Sequence, residues 1–585
     1  MKHYRSDEIT GRHLDMAILR RFIPLIRPYW KKAVASLSLL PLISLVRIVP
    51  PLLIKFAIDE SIIPGNLDKL WPVSAMLVAL LLIEGGVVFA QSILVQIVGQ
   101  HIMADLRRDS FAKLMRLPRH WYDWQPSGRL ITRLTTDIEN VGELFGSGIV
   151  SAIGDIATLV LILIIMLSMN WQLAVIAFAV VPLLLLVIYF IRRPMRKVTR
   201  QLRARQAGLN AFITERLNGI AEVQIFSQEK SSAGKFEQLQ QQYRTSSLNW
   251  VTLEALFYAS VHICGSLAVA AILWQGGDAV MHQVATFGTL VAFIEYARKF
   301  FLPLTELASK FSVLQTSNSA LERIFDLLDQ PEEKQGGAEP AFGPGSIEFK
   351  EIHFSYDKTD SVLKGVSFSV APGQRIALVG ETGSGKTTLT KLLLGFYQPD
   401  SGQILFNGND VATLANEKLR QQIGWVSQEP FVFSGSVRDN LDPEHVFDDK
   451  YLLDQLYYTG ALPVVQRLGG LDALLGEHGK NLSSGERQLL CLTRAQVKKP
   501  QVIILDEATS HLDGDSEELV YNGIRAVAGG RTTLMIVHHL RLAAEADRIV
   551  MLYQGKICEQ GSHQQLMQLN GRYAQLWQIQ QLEKH

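Results

Sequence analysis

The first 310 residues of this 585-residue chain contain six apolar runs of about 20 residues or more. A run of that length matches the hydrocarbon thickness of a bilayer, and no water-soluble core needs so many in succession. The runs cover residues 33–57, 70–98, 148–169, 173–191, 251–274 and 287–307. The remaining half is of ordinary polarity, so a mean hydropathy of +0.14 averages two unlike parts. No cleavable leader is expected, because charge is spread through the first 30 residues. Residues 17–30 mix apolar side chains with Arg20, Arg21 and Arg27, the composition of a helix lying at a membrane surface.

Orientation follows from charge. The connection 101–145 carries seven Lys/Arg and 192–250 carries eleven, whereas 59–69, 170 and 276–283 are short and poor in both. Basic loops stay in the cytoplasm, which places both termini and both long loops there. The loops keep helical periodicity, so the spanning helices are expected to continue well beyond the bilayer. Each loop is expected to carry a short transverse helix, near 120–125 and near 225–230. Within the runs lie Arg47, Glu84, Asp155, Glu254, His262, Glu295 and Arg298. Ionisable groups in hydrocarbon face a protein interior or a water-filled path. Two readings stand side by side for Glu84 and Asp155: they line a substrate path, or one of them pairs with Arg47.

A formal net charge of +1 gives no basic excess for nucleic acid. Cys264, Cys491 and Cys558 are too far apart for a zinc motif and are expected to be three buried thiols. Residues 331–345 are rich in Gly, Pro and charge and read as a connector. The organisation expected is an α-helical membrane domain over 1–325, a linker over 326–345 and an α/β P-loop ATPase domain over 346–585.

In the second half, Gly380-Glu381-Thr382-Gly383-Ser384-Gly385-Lys386-Thr387 follows the apolar run 375–379 and leads through Thr388 into a helical pattern. Strand, glycine-rich loop and helix together make a phosphate cradle of backbone N–H groups at a helix N-terminus. Lys386 is expected on the β- and γ-phosphates and the Thr387 hydroxyl on Mg²⁺. A second apolar strand, 502–505, ends in Asp506-Glu507. Asp506 is the expected Mg²⁺ partner and Glu507 the carboxylate that orients or deprotonates the attacking water. A third, 534–537, ends at His538, placed to hold that water against the γ-phosphate.

Asn481-Leu482-Ser483-Ser484-Gly485-Glu486-Arg487-Gln488 resembles the signature of ATP-binding cassette (ABC) proteins, usually L-S-G-G-Q. Tyr356 matches the aromatic that stacks on adenine, Gln428 the glutamine that contacts Mg²⁺ and senses the membrane domain, and Asp513 the loop that follows Glu507. With six spans ahead of one cassette, and with Trp124-Gln125-Pro126-Ser127-Gly128-Arg129-Leu130, the chain resembles the half-transporter exporters that include bacterial multidrug and lipid A exporters. The resemblance implies ATP and Mg²⁺ as cofactors and a bacterial inner-membrane location. It implies a dimer in which Ser483, Ser484, Gly485 and Glu486 cap the nucleotide of the other chain, and a hydrophobic small molecule, lipid or peptide as substrate. Ser484 and Glu486 depart from the usual signature, which tilts the expectation toward a heterodimer. A membrane-tethered ATPase acting as sensor or gate is the alternative function.

Overall fold

The computed structural model describes residues 16–334, 336–341, 343–506, 514–537 and 539–582. The chain forms two compact units: Met1–Met115 with Ser127–Gln330, and Arg116–Pro126 with Pro331–His585.

The first unit is all helix. In chain order its main elements are α1 (Met16–Ile26), α2 (Trp30–Ala57), α3 (Leu67–Arg116), α4 (Ser151–Met169), α5 (Trp171–Phe178), α6 (Val181–Asn218), α7 (Glu229–Met281) and α8 (Phe287–Leu328). At 1.5 Å per residue the 50 residues of α3 run about 75 Å, over twice the bilayer core. Large apolar side chains such as Leu82, Phe89, Phe190 and Trp274 lie on the outside. A lipid surround accounts for that surface, because helices satisfy their own backbone and can present Leu and Phe to hydrocarbon.

Among the described residues, five helical stretches are long and apolar enough to cross a membrane: Arg20–Ile62, Asp68–Arg116, Ser127–Met169, Trp171–Asn218 and Glu229–Met281. The sixth expected span does not join them. It is helical throughout α8, but Glu295, Arg298 and Lys299 fall within one turn and a half and break its apolar run. Instead α8 packs inward. Phe293 and Tyr296 are fully buried with Ile162 and Met166 of α4, and the Tyr296 hydroxyl donates to the carbonyl of Ile48 at 2.6 Å. The α8 N-terminus is capped from α2's end, where Asp59 accepts from the Gly288 N–H at 2.8 Å and from the Thr286 hydroxyl at 2.6 Å. Helix α1 also turns one face to protein. Phe22 is buried among Val98, Ile102 and Ile324, and Arg21 makes a two-pronged pair with Asp329 at 2.7 and 2.8 Å.

The second unit is built on two sheets. The strands used here are β1 (Ile347–Ser355), β2 (Ser361–Val370), β3 (Arg375–Gly380), β4 (Ser401–Phe406), β5 (Ile423–Val426), β6 (Val502–Asp506), β7 (Thr532–Ile536), β8 (Arg548–Tyr553) and β9 (Lys556–Gly561). β2, β1 and β4 are antiparallel neighbours. The larger sheet has the order β9-β8-β3-β7-β6-β5, with parallel pairing from β8 to β5. Its central strands β6 and β7 are buried at every position, as a sheet covered on both faces requires. The period of two is visible on β3: Ile376 and Leu378 enter one core with Leu389 and Leu393, while Ala377 and Val379 enter the other with Leu489 and Ile524.

The connector 331–345 lies along this unit as a docked strap. Glu333 receives two bonds from Arg420 at 2.6 and 3.0 Å and one from Asn416 at 3.1 Å, and Ala338 exchanges backbone bonds with Thr413 and Ala415, each 3.0 Å. One thiol expectation is corrected. Cys264 and Cys491 are buried, but Cys558 is exposed, because β9 is an edge strand with its even-numbered side chains facing water.

Candidate nucleotide-binding site

Parallel pairing brings the separate sequence motifs to one end of the larger sheet. Strand β7 lies between β3 and β6, with Ile536 opposite both Leu378 and Asp506. Strand β5 flanks β6, with Val426 opposite Leu505. The loop after β3, Asp506 at the end of β6 and Gln428 just past β5 therefore share the carboxyl edge. In open parallel sheets this edge is where ligands bind, since helix N-termini and loop amides converge there.

The loop is shaped by what will not fit in it. Gly380 has φ +154° and Gly385 φ +103°. A Cβ on Gly380 would stand 2.2 Å from the Leu552 carbonyl oxygen, and one on Gly385 would stand 2.6 Å from Leu363. Glycine is thus required for the backbone to turn its N–H groups into the concavity. The chain then enters α9 (Lys386–Leu393) directly. Lys386 is buried, and its ammonium donates to the carbonyls of Gly380 at 2.6 Å and Glu381 at 3.0 Å. The buried Ser384 hydroxyl oxygen has no hydrogen-bond partner among the described residues. A helix N-terminus, a buried ammonium and an unsatisfied hydroxyl beside a glycine-lined concavity suit a polyphosphate. Glu381, Thr382 and Gly383 form the exposed rim, while Thr387 is half-buried and Thr388 buried in the first turn of α9.

Tyr356 stands beside that turn. Its hydroxyl is 3.1 Å from the Thr388 hydroxyl, and its ring packs edge-on to Phe354 and Tyr397 with centroids 4.9 and 5.1 Å away. The Lys391 ammonium lies 5.6 Å over the ring. The ring is held, yet partly exposed, which leaves a face for a flat partner. Tyr397 was not singled out by any motif. It reaches across to the short helix Arg119–Tyr122, donating its hydroxyl to the Asp123 carboxylate and setting its ring 6.1 Å from that of His120. Burial first, and the Asp123 carboxylate second, hold the Tyr397 hydroxyl well above the usual tyrosine range, so it stays a donor. The first loop's transverse helix therefore belongs to the cassette of its own chain.

The signature-like segment lies on another element, α10 (Ser484–Val497), which packs among helices Asp449–Thr459 and Gly514–Ala528. Ser483 is its N-cap. The Ser483 hydroxyl accepts from the Glu486 N–H at 3.2 Å, and Glu486 Oε2 accepts from the Ser483 N–H at 2.8 Å, a reciprocal capping box. Glu486 Oε1 pairs with Arg467, a contact that no sequence pattern suggested. Ser484 is half-buried and Gly485 buried. Glu507, Asp513 and His538 lie outside the described residues.

In the membrane unit Arg47 pairs with Glu84 at 3.1 Å, which is the structural alternative for Glu84. Asp155 is not Arg47's partner in a bond: its carboxylate pairs with Lys310, which also meets Glu306 at 3.1 Å. Arg47 and Asp155 nevertheless line one cavity of about 320 Å³, with Ser44, Gln91, Gln96 and Thr158.

Residues 30–304 match the family described as ABC transporter transmembrane region, and residues 363–510 match the family described as ABC transporter. An ATP-dependent lipid A-core flippase of Thiobacillus denitrificans is 32% identical over 98% of this chain and 99% of its own length. A fatty acid ABC transporter ATP-binding/permease protein of Mycobacterium bovis is 33% identical over 86% of this chain and 80% of its own. A Bacillus subtilis protein named "Probable multidrug resistance ABC transporter ATP-binding/permease protein" is 31% identical over 85% and 75%. A helical membrane domain fused to a P-loop cassette, matched along nearly its whole length, makes this chain a member of the ABC exporter half-transporters, membrane proteins that bind and hydrolyse ATP to drive export.

Proposed function

We propose that this chain is one half of a dimeric exporter or flippase that moves a hydrophobic or amphipathic substrate, of the multidrug or lipid class, out of the cytoplasmic leaflet of a bacterial inner membrane. The observation that carries this reading is the cavity in the membrane unit, with polar and charged walls inside an apolar exterior. Such a cavity suits a substrate with a polar end and an apolar body. The relatives named for lipid A-core and fatty acid transport point the same way. The basic loops and fused cassette support a cytoplasmic placement of both termini and the cassette.

In this reading the 380–388 loop holds the phosphates and Tyr356 stacks on adenine. Thr387, Gln428 and Asp506 would hold Mg²⁺, and the chemistry that ion would supply there is neutralisation of phosphate charge. Glu507 orients or deprotonates the water, His538 holds that water, and Asp513 is assigned to nucleotide binding. Ser483 to Glu486 cap the nucleotide of the second half-transporter. The exposed Ile225 and Phe226 of the second loop seat in that partner's cassette. The altered signature residues Ser484 and Glu486 favour a heterodimer whose second chain supplies the usual signature to this chain's nucleotide.

The test is ATP-dependent transport in proteoliposomes, screened across drugs, lipids and peptides, beside the mass of the natural assembly. Glu507→Gln should lower turnover about 10²–10⁴-fold while retaining ATP binding, because the phosphate cradle survives. Lys386→Ala should instead weaken binding itself. Wild-type hydrolysis by Glu507→Gln would overturn the assignment of the base. Strong cooperative ATPase activity from a homodimer would overturn the heterodimer.

A further inference from the structure

Glutamate at position 486 poses an electrostatic difficulty. The N-terminus of α10 is positive and attracts anions. If this segment caps a terminal phosphate, a carboxylate in its first turn adds a negative charge where a phosphate must approach. The structure shows how this carboxylate is occupied. Oε2 is turned back to the Ser483 N–H, and Oε1 is taken by the Arg467 guanidinium at the end of helix Leu462–Leu468. Each oxygen has a donor, and the charge has a counter-charge from a separate helix. Ser483 is still the N-cap, so the geometry that a neutral glutamine would give is retained.

We propose that Arg467 is a positioning residue of the nucleotide-capping surface: it neutralises and holds Glu486, so that Ser483 and the α10 N-terminus accept a terminal phosphate despite the acidic signature. This rests on the reading that the 483–486 segment meets a nucleotide. Arg467 touches no phosphate itself; it acts through Glu486. Removing the arginine leaves an uncompensated anion on the capping surface. Removing both charges recreates the neutral surface of the usual signature.

The experiment uses the full-length transporter in its natural assembly, in a Glu507→Gln background. It measures radiolabelled ATP retained after rapid gel filtration as a function of ATP concentration. Arg467→Gln should raise the concentration for half-maximal retention about fivefold, the upper range for an exposed ion pair. Glu486→Gln should lower it about twofold, since glutamine keeps the acceptor for the Ser483 N–H without the charge. The double variant should return to the Glu486→Gln value, a rescue that loss of folding would not produce, and raising salt should shrink the Arg467→Gln effect. A double variant as impaired as Arg467→Gln, or an Arg467→Gln protein identical to wild type, would overturn the proposal. Ser483→Ala separates the two levels. If it leaves retention unchanged, the capping reading itself fails. If it weakens retention while the charge cycle shows no coupling, the capping reading stands and the role of Arg467 fails.

Discussion

The two long basic loops leave the membrane helices alike and finish differently. The first ends in the short helix Arg119–Tyr122, grouped with the cassette of the same chain and fastened by polar and aromatic contacts to Tyr397 and by a 2.8 Å bond from the Glu333 N–H to the Arg116 carbonyl. The second ends in helix Ile220–Ile225, closed by Ser227 at φ +50°, and its tip displays Ile225 and Phe226 at 77% and 70% exposure. Residues bonded within one chain need no second copy to be satisfied. Adjacent exposed apolar side chains at the tip of a basic loop, beyond the apolar runs, mark a surface meant to be covered. In the proposed dimer this contrast divides labour: the first loop senses its own chain's nucleotide end, and the second carries force from the partner.

The largest expected effect follows from the second loop. Ile225→Asp with Phe226→Asp should reduce substrate transport by more than about tenfold, because two buried apolar anchors of an interface commonly contribute at least 2 kcal/mol each. ATP binding at the 380–388 loop should be unaffected, read by nucleotide titration of the same preparation. Near-normal transport would break the comparison, since the apolar tip would then be unused. A smaller effect is expected at the first loop. Tyr397→Ala removes the ring that braces Tyr356 and the donor to Asp123, and should raise the ATP concentration for half-maximal hydrolysis about threefold to tenfold, within the range for an aromatic pair plus a hydrogen bond. Tyr356→Ala should shift the same quantity with a smaller effect on maximal rate. If Tyr356→Ala acts and Tyr397→Ala does not, the brace is idle.

What was legible follows the same divide between local and distant. The turn of 380–388 into a helix could be read because one short segment contains the strand end, the glycines and the helix start, and the apolar runs because bilayer thickness sets their length. The run 287–307 has no clean bounds in the sequence, because Glu295, Arg298 and Lys299 are tolerated on a helix that faces the protein interior. The transverse helix expected near 225–230 falls at Ile220–Ile225 instead, because Ser227 and Gln228 turn the chain before α7 starts. Partners were not legible where sequence distance hides them: Tyr397 lies 274 residues from Asp123, and Lys310 lies 155 from Asp155. Lys310 sits beyond the expected end of the last run, so no periodicity pointed it at a carboxylate in the third.

The finest test of the contrast is a single charge. Asp123 accepts from the Tyr397 hydroxyl and pairs with Arg119 at 3.4 Å. Asp123→Asn keeps an oxygen acceptor and the side-chain shape, and removes the charge. A hydrogen bond to a charged group is worth about 1.5–3 kcal/mol against about 1 for a neutral one, and the Arg119 pair is exposed enough to add little. The loss should therefore be about 0.5–2 kcal/mol in the docking of residues 116–126. It should appear as roughly twofold to thirtyfold faster amide exchange in that segment, with ATPase activity nearly normal. The matched change in the second loop is Glu222→Gln, which removes one charge from the helix that carries the apolar tip. Exchange in 220–225 should not change measurably, because Glu222 is exposed and the buried contact of that helix is apolar, through Val223. Equal acceleration in both loops would mean that charge, and not the kind of partner, sets how firmly each is held.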